Sequence, residues 1–267
     1  MRNFLFRYRG QLPLITISIV FLLGLKFPIP LVRENSVESY RWFSLSLVAL
    51  GIIYRCWTVG YSMQHASGRN RHQQVAHYLN QKGTYSMSQH PLYFANALMW
   101  FGSCILSNSL PIFVALGIYI SIFTIYLIQL ESRFLHGTFR EEYEVWAQNT
   151  PVFIPSLWRY KRTGLSFQWV KVFATEYPTW VSCLASLLAA DLFNSLVNLN
   201  SLQWTNSHSI IVISGCIIGL SGRFFKYIVV RKWLKSSIWT LAFAPCPGCR
   251  KQVNNYFLLT LISDNAT

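Results

Sequence analysis

The sequence predicts an all-α, polytopic membrane protein of about six transmembrane helices with both termini in the cytoplasm. Three observations predict it. The 267 residues are 52 % hydrophobic and 16 % aromatic but only 12 % charged, against roughly 25 % charged in a soluble domain. Apolar runs recur that are long enough, or nearly so, to cross the ~30 Å hydrocarbon core as helices. The 23 Lys and Arg against nine Asp and Glu follow topology and do not call for nucleic acid. With six spans and the N-terminus inside, the inner-face segments hold 20 of the 23, as the positive-inside rule requires.

The elements follow in order. Met1–Gln11 carries Arg2, Arg7 and Arg9 ahead of the apolar run Leu12–Leu25. No small-residue cleavage site follows, so this reads as an uncleaved first span. The second span, Trp42 to about Met63, contains Arg55 near its far end, within snorkelling reach of the interface. Polar Gln64–Gln89 comes next, where Val75, Tyr78 and Leu79 at helical spacing predict a short interfacial helix over Gln73–Gln81. Spans three and four, Leu92–Leu106 and Pro111–Leu130, are separated only by Ser107, Asn108, Ser109 and Leu110. A connection that short makes them an antiparallel hairpin, so the start of one and the end of the other share a membrane face.

Beyond the hairpin, Arg133–Leu165 holds an amphipathic turn, Glu141–Trp146, and the basic run Arg159, Lys161, Arg162. A fifth span fits Tyr177–Leu196, with Asp191 inside it and Glu176 as a helix-start charge at the interface. A sixth fits Ile210–Val230. The polar motifs lie in the first four spans, so residues 1–165 read as the core and 166–267 as an appended helix pair with a basic tail. Cys56, Cys104, Cys183 and Cys216 fall in or beside apolar segments and read as buried small hydrophobes. Cys246-Pro-Gly-Cys249 has the spacing of a redox pair or half a zinc site but lacks a second pair. His65, His72 and His77 have no Cys or carboxylate at ligand spacing, and no metal site is expected.

The chemistry-bearing residues gather at the two ends of the hairpin. Pro91 fits a first helical turn and His90 the cap before it, where unpaired N–H groups favour a carboxylate or phosphate. Tyr93 and Asn96 project near the same end, and Glu131 closes the partner helix with an anion suited to an ammonium or a pair of ribose hydroxyls. S-adenosylmethionine carries that inventory of groups, and aromatic faces such as Tyr85, Tyr93 and Phe94 favour its sulfonium. The plainer alternative is that His90 only caps its helix and Glu131 pairs with Arg133 or a neighbouring arginine.

G-T-Y-S-M-S-Q-H-P-L-Y at Gly83–Tyr93, E-S-x-x-L-x-x-x-F-x-x-E-Y at Glu131–Tyr143 and V-F-I-P at Val152–Pro155 resemble the isoprenylcysteine carboxyl methyltransferase and phospholipid methyltransferase superfamily. The resemblance covers about Gly83 to Pro155. It implies a membrane-embedded helical fold that binds S-adenosylmethionine near the cytosolic face. Gly83, Tyr85, His90, Tyr93 and Glu131 match its cofactor-binding pattern, and Glu142, Tyr143 and Pro155 its later part. Four positions depart from that pattern: Gln89 stands for Arg, Ala95 for Gly, Ser132 for a second Glu and Arg140 for Gly. The upstream stretch Ser67–Leu79 looks like a bacterial branch associated with membrane lipids, including methylation of a lipid A phosphate. The resemblance thus implies a lipid substrate and a bacterial inner membrane.

Few bases are available at that face, whereas Arg133, Arg140, Arg159, Lys161 and Arg162 could hold an anionic headgroup, with Arg133 and Arg140 the nearest candidates. The expected reaction is methylation of an anionic lipid oxygen, which needs no general base. Alternative acceptors are a prenylcysteine carboxylate or a phospholipid amine. A second class is an NADPH-dependent membrane reductase of the sterol reductase type, which shares an H-P-x-Y element. A third, a transporter or scaffold, would place ionisable residues near the bilayer centre, where only Asp191 and Arg223 come close, neither with an obvious partner.

Overall fold

The computed structural model describes residues 19–32 except 21 and 23, 37–62, 76, 78–198 and 204–242, with side chains in the last stretch as far as 228. Among the described residues six helices have defined bounds: α1 Val37–Gly60, α2 Pro91–Leu106, α3 Leu110–Phe139, α4 Glu141–Gln148, α5 Trp169–Asn198 and α6 Asn206–Ala242. Single 3-10 turns lie at Thr84–Ser86 and Leu157–Arg159. Among the described residues, α1, α3, α5 and α6 contain stretches long and apolar enough to cross a membrane, and α2 is a shorter apolar helix. The chain is therefore an all-α polytopic membrane protein. Most of the expected first span lies outside the described residues, as do His65, His72, His77, Cys246 and Cys249.

The chain forms two compact units, Met1–Gly219 and Leu220–Thr267. In the first, α1, α2 and α5 pack lengthwise. Ser44 on α1 donates to the Gly102 carbonyl of α2, and Arg55 at the far end of α1 reaches Asn96, so α1 and α2 run antiparallel. Gly51 sits at their closest approach, where a Cβ would lie 2.8 Å from the Ala95 carbonyl oxygen. Small residues are what allow helix backbones to approach this closely in lipid. Ala95, which replaces the family's glycine, thus faces a glycine on the other helix. The cluster Val20, Cys104, Ile112, Leu116, Ile120 and Phe193 fastens the α2–α3 hairpin to α5.

α5 begins eight residues before the expected start of its span and includes Pro178. It runs antiparallel to α1 along its whole length: Gln168 N–H bonds the Gly60 carbonyl, Glu176 pairs with Arg55, and Asp191 pairs with Arg41. In three dimensions α5 belongs to the same compact unit as α1 and α2, whereas the boundary expected near Leu165 reflects where the motifs lie. Four sequence expectations differ from the structure. Arg55 does not snorkel and Glu176 is no interfacial charge: their side chains are only 10 % and 2 % exposed, bonded to each other and, through Arg55 Nη1, to Asn96 at 2.8 Å. Asp191 has partners, Arg41 Nη2 at 3.0 Å and the buried His208 Nε2 at 2.8 Å. Cys216 is exposed on α6, unlike the buried Cys104 and Cys183.

A fifth concerns the interfacial helix expected over Gln73–Gln81, of which residues 73–75 and 77 lie outside the described residues. The described ones, 76 and 78–81, are not helical, and the chain runs on to Gly83, whose N–H bonds the Lys161 carbonyl at 2.8 Å. α3 also runs nine residues past its expected end, to Phe139, and places Glu131, Ser132 and Arg133 on the helix. It breaks at Arg140, whose φ of 45° and ψ of −116° form a corner into α4. That conformation favours glycine, the residue the family pattern has there.

Two stability predictions follow from this packing. Arg140→Gly should raise the unfolding free energy by about 1 kcal/mol through relief of the positive φ, measured as a higher midpoint in denaturant titration of detergent-solubilised protein. Glu176→Ala should lower it by about 3–5 kcal/mol by leaving Arg55 buried without its counter-ion. A change within ~0.5 kcal/mol, the size of a typical surface substitution, would contradict the buried-pair assignment.

Candidate functional site

The site lies where the short second helix begins. α2 has 16 residues, a length of about 24 Å at 1.5 Å per residue, less than the ~30 Å hydrocarbon core. Its first turn is therefore recessed relative to the end of the much longer α3. Pro91 occupies the first helical position, and the Tyr93 and Phe94 N–H groups bond the His90 carbonyl at 3.1 and 3.2 Å. His90 makes no side-chain cap. Its imidazole, almost fully buried, turns to α3 instead: Nε2 lies 3.0 Å from Ser132 Oγ and Nδ1 lies 3.6 Å from Glu131 Oε2. With the proton on Nδ1, facing the carboxylate, Nε2 accepts the Ser132 hydroxyl. Glu131 is 30 % exposed, so its carboxylate is held on one side and accessible on the other.

Aromatic rings complete this corner. The Tyr93 ring lies 5.7 Å from the imidazole. The Tyr85 phenol is hydrogen-bonded to Asn80 and pushed above its ordinary range, first by burial and then by the nearby Glu131 carboxylate. Arg55 and Tyr54 also lie near enough to act on it. Among the described residues the Tyr54 hydroxyl is buried without a hydrogen-bond partner, an unmet demand for a polar group. Tyr54 and Trp57 of α1, Phe94 of α2 and Phe153 form a chain of edge-on rings beside the site.

The loop before His90 is held by the segment after α4, strand-like in its bonding but not a sheet. Gln89 N–H bonds the Pro151 carbonyl at 2.8 Å, Ser156 N–H bonds the Met87 carbonyl at 2.9 Å, and Ser88 Oγ donates to the Phe153 carbonyl at 2.9 Å. Lys161 N–H donates to Ser86 Oγ at 2.8 Å. Trp146 of α4 donates its indole N–H to the Tyr85 carbonyl. Gln89, where the family has Arg, sends its amide to the Ala147 and Thr150 carbonyls at 3.0 and 2.7 Å. The departures at Gln89 and Ser132 thus have structural work: one ties down the end of α4 and the turn after it, the other holds His90.

The expected site residues fall into three groups. His90, Tyr93, Glu131 and Tyr85 come together, with Gly83 at φ 67° opening the loop that carries Tyr85. Asn96 lies one turn deeper and is bound to Arg55. Glu142 is exposed on α4 and accepts from Gln81 Nε2 at 2.7 Å, while Arg133 and Arg140 are exposed at the end of α3. Sequence reasoning missed Asn80, the orphaned Tyr54 hydroxyl, and the service of Ser132 to His90. The acid, the imidazole and the rings suit a ligand that offers an ammonium or ribose hydroxyls together with a sulfonium.

The cobalt-zinc-cadmium resistance protein CzcN of Cupriavidus metallidurans is 30 % identical over 162 residues, covering 60 % of this chain and 69 % of that one. The nickel-cobalt-cadmium resistance protein NccN of Alcaligenes xylosoxydans xylosoxydans is 28 % identical over 168 residues, 61 % of this chain and 73 % of that one. No solved structure matches the chain significantly. The phospholipid methyltransferase family profile matches residues 40–142, the stretch from the first turn of α1 to the first turn of α4 that contains His90 and Glu131. The chain belongs to the phospholipid methyltransferase family, membrane methyltransferases that act on lipid-like substrates.

Proposed function

We propose that this protein uses S-adenosylmethionine to methylate an anionic oxygen, a phosphate or carboxylate, on a membrane lipid. The observation that carries the reading is the Glu131 carboxylate, half-open beside a buried imidazole and two tyrosines at the recessed start of α2. When bound, the cofactor supplies an electrophilic sulfonium methyl group. Glu131 accepts hydrogen bonds from its ammonium or ribose hydroxyls. His90, held by Ser132, keeps the carboxylate in place, and Tyr85 and Tyr93 offer ring faces to the cation. Gly83 in the loop before α2, Asn96 one turn deeper on α2 and Glu142 on α4 are assigned to the outer contacts of the same cofactor.

An anionic acceptor is already a nucleophile at neutral pH, so the chain has to align it and keep water away. Arg133 and Arg140 are the residues assigned to its headgroup in this reading, and their exposure at the end of α3 supports it. The positive-inside distribution supports a cytoplasmic site, and two bacterial relatives support a bacterial inner membrane. Their names concern metal resistance, and lipid methylation has a physical link to it. Converting a phosphate monoester to its methyl ester removes close to one negative charge, and with it affinity for divalent cations at the membrane surface.

Membranes containing the protein, incubated with S-adenosylmethionine labelled in the methyl group, should transfer label to the lipid extract. Label confined to protein, or absent from both fractions, would contradict the lipid acceptor. Glu131→Ala should weaken cofactor binding by about 1.5–3 kcal/mol, the worth of a hydrogen bond to a charged group, read by calorimetry on purified protein. Unchanged affinity would remove Glu131 from the site.

A further inference from the structure

Residues 145–175 contain no Asp or Glu and four basic residues, Arg159, Lys161, Arg162 and Lys171. The middle of this stretch lies across one end of the bundle. It bonds the loop before α2 through Pro151, Ser156 and Lys161, and Gln168 bonds the last residue of α1. Its backbone is thus committed inwards at several points, and it is fixed at the membrane face where the site opens.

Several of its side chains face the other way. Ile154 is 72 % exposed, Leu157 70 % and Trp158 98 %, and the neighbouring Arg159, Lys161 and Arg162 are exposed as well. Single exposed apolar residues are ordinary, but three within five positions on an anchored segment form a patch that something covers. Two of the three acids on α4 have other engagements: Glu142 with Gln81 and Glu144 with His136. Arg159 donates to the Asn149 carbonyl and still presents its charge at the surface.

A tryptophan with aliphatic neighbours, flanked by cations, matches the layered chemistry of one boundary. The indole prefers the level of the headgroups, the aliphatic side chains the acyl edge, and the cations the lipid phosphates. We propose that the strip 151–163 is a docking surface for the anionic leaflet at this end of the bundle. Trp158 and Leu157 seat at the acyl boundary, and Arg159, Lys161 and Arg162 lie against anionic headgroups. The strip also ties down the loop that carries His90, so this contact sets the site at headgroup depth. A second copy of the chain is the other apolar partner available, and charge decides against it: two such strips would bring six cations together.

The test uses the full chain reconstituted in nanodiscs with lipids brominated just below the headgroup, either phosphatidylglycerol or phosphatidylcholine. Tryptophan quenching by brominated phosphatidylglycerol should be stronger in the wild type than in Trp158→Phe. Replacing Arg159, Lys161 and Arg162 together by Gln should reduce the preference for the anionic quencher several-fold and leave quenching by phosphatidylcholine in place. All substituted side chains are exposed, so the fold is retained. Equal quenching of wild type and Trp158→Phe would overturn the proposal, as would an unaltered anionic preference in the triple variant. Shielding of Trp158 from both lipid and aqueous quenchers would assign the face to a second copy.

Discussion

A three-residue connection between two apolar helices constrains everything else in this protein. Ser107–Ser109 cannot carry the chain across a bilayer, so α2 and α3 return along each other and the start of one meets the far part of the other. Their lengths differ, 16 residues against 30. The mismatch lets α3 reach past the recessed start of α2 and lay Glu131 and Ser132 over His90. An imidazole and a carboxylate 41 residues apart in sequence thereby become a single polar corner in an apolar setting.

That corner is kept rigid from two sides. Below it, Arg55, Asn96 and Glu176 join α1, α2 and α5 through a buried ion pair, and a pair of this kind resists rearrangement because separating it would strand a charge. Above it, the strip after α4 satisfies the backbone of residues 83–90 with its own N–H and C=O groups. Irregular backbone at the edge of a membrane needs such partners. Gln89 shows how the chain departs from its family without losing this support, since its amide reaches the Ala147 carbonyl in the last turn of α4 and the Thr150 carbonyl just beyond it.

The hairpin, the helices and the meeting of His90 with Glu131 were legible in the sequence, because apolar run length and a short connection determine them. Other features were readable but misread. Tyr40, Ser44, Val48, Arg55 and Thr58 are all buried on one face of α1 at three- to four-residue steps or their sums, so the register alone places Arg55 inside. Glu176 shares the buried face of α5 with Val172, Cys183 and Ala190. Pro178 and the acid before it imitate a helix start, which hid that register. The remaining contacts had no sequence signal. Backbone bonds between residues 83–90 and 151–161 follow no period, and His208 meets Asp191 across a loop that no apolar pattern aligns.

The account turns on the chemistry of the ligand that this corner accepts. Its most direct test is a pair of equilibrium titrations of the purified wild-type protein, one with S-adenosylmethionine and one with NADPH. Saturable binding of S-adenosylmethionine with no competition from NADPH is the predicted result. Binding of NADPH alone would contradict the account and turn the same helical corner into a reductase site.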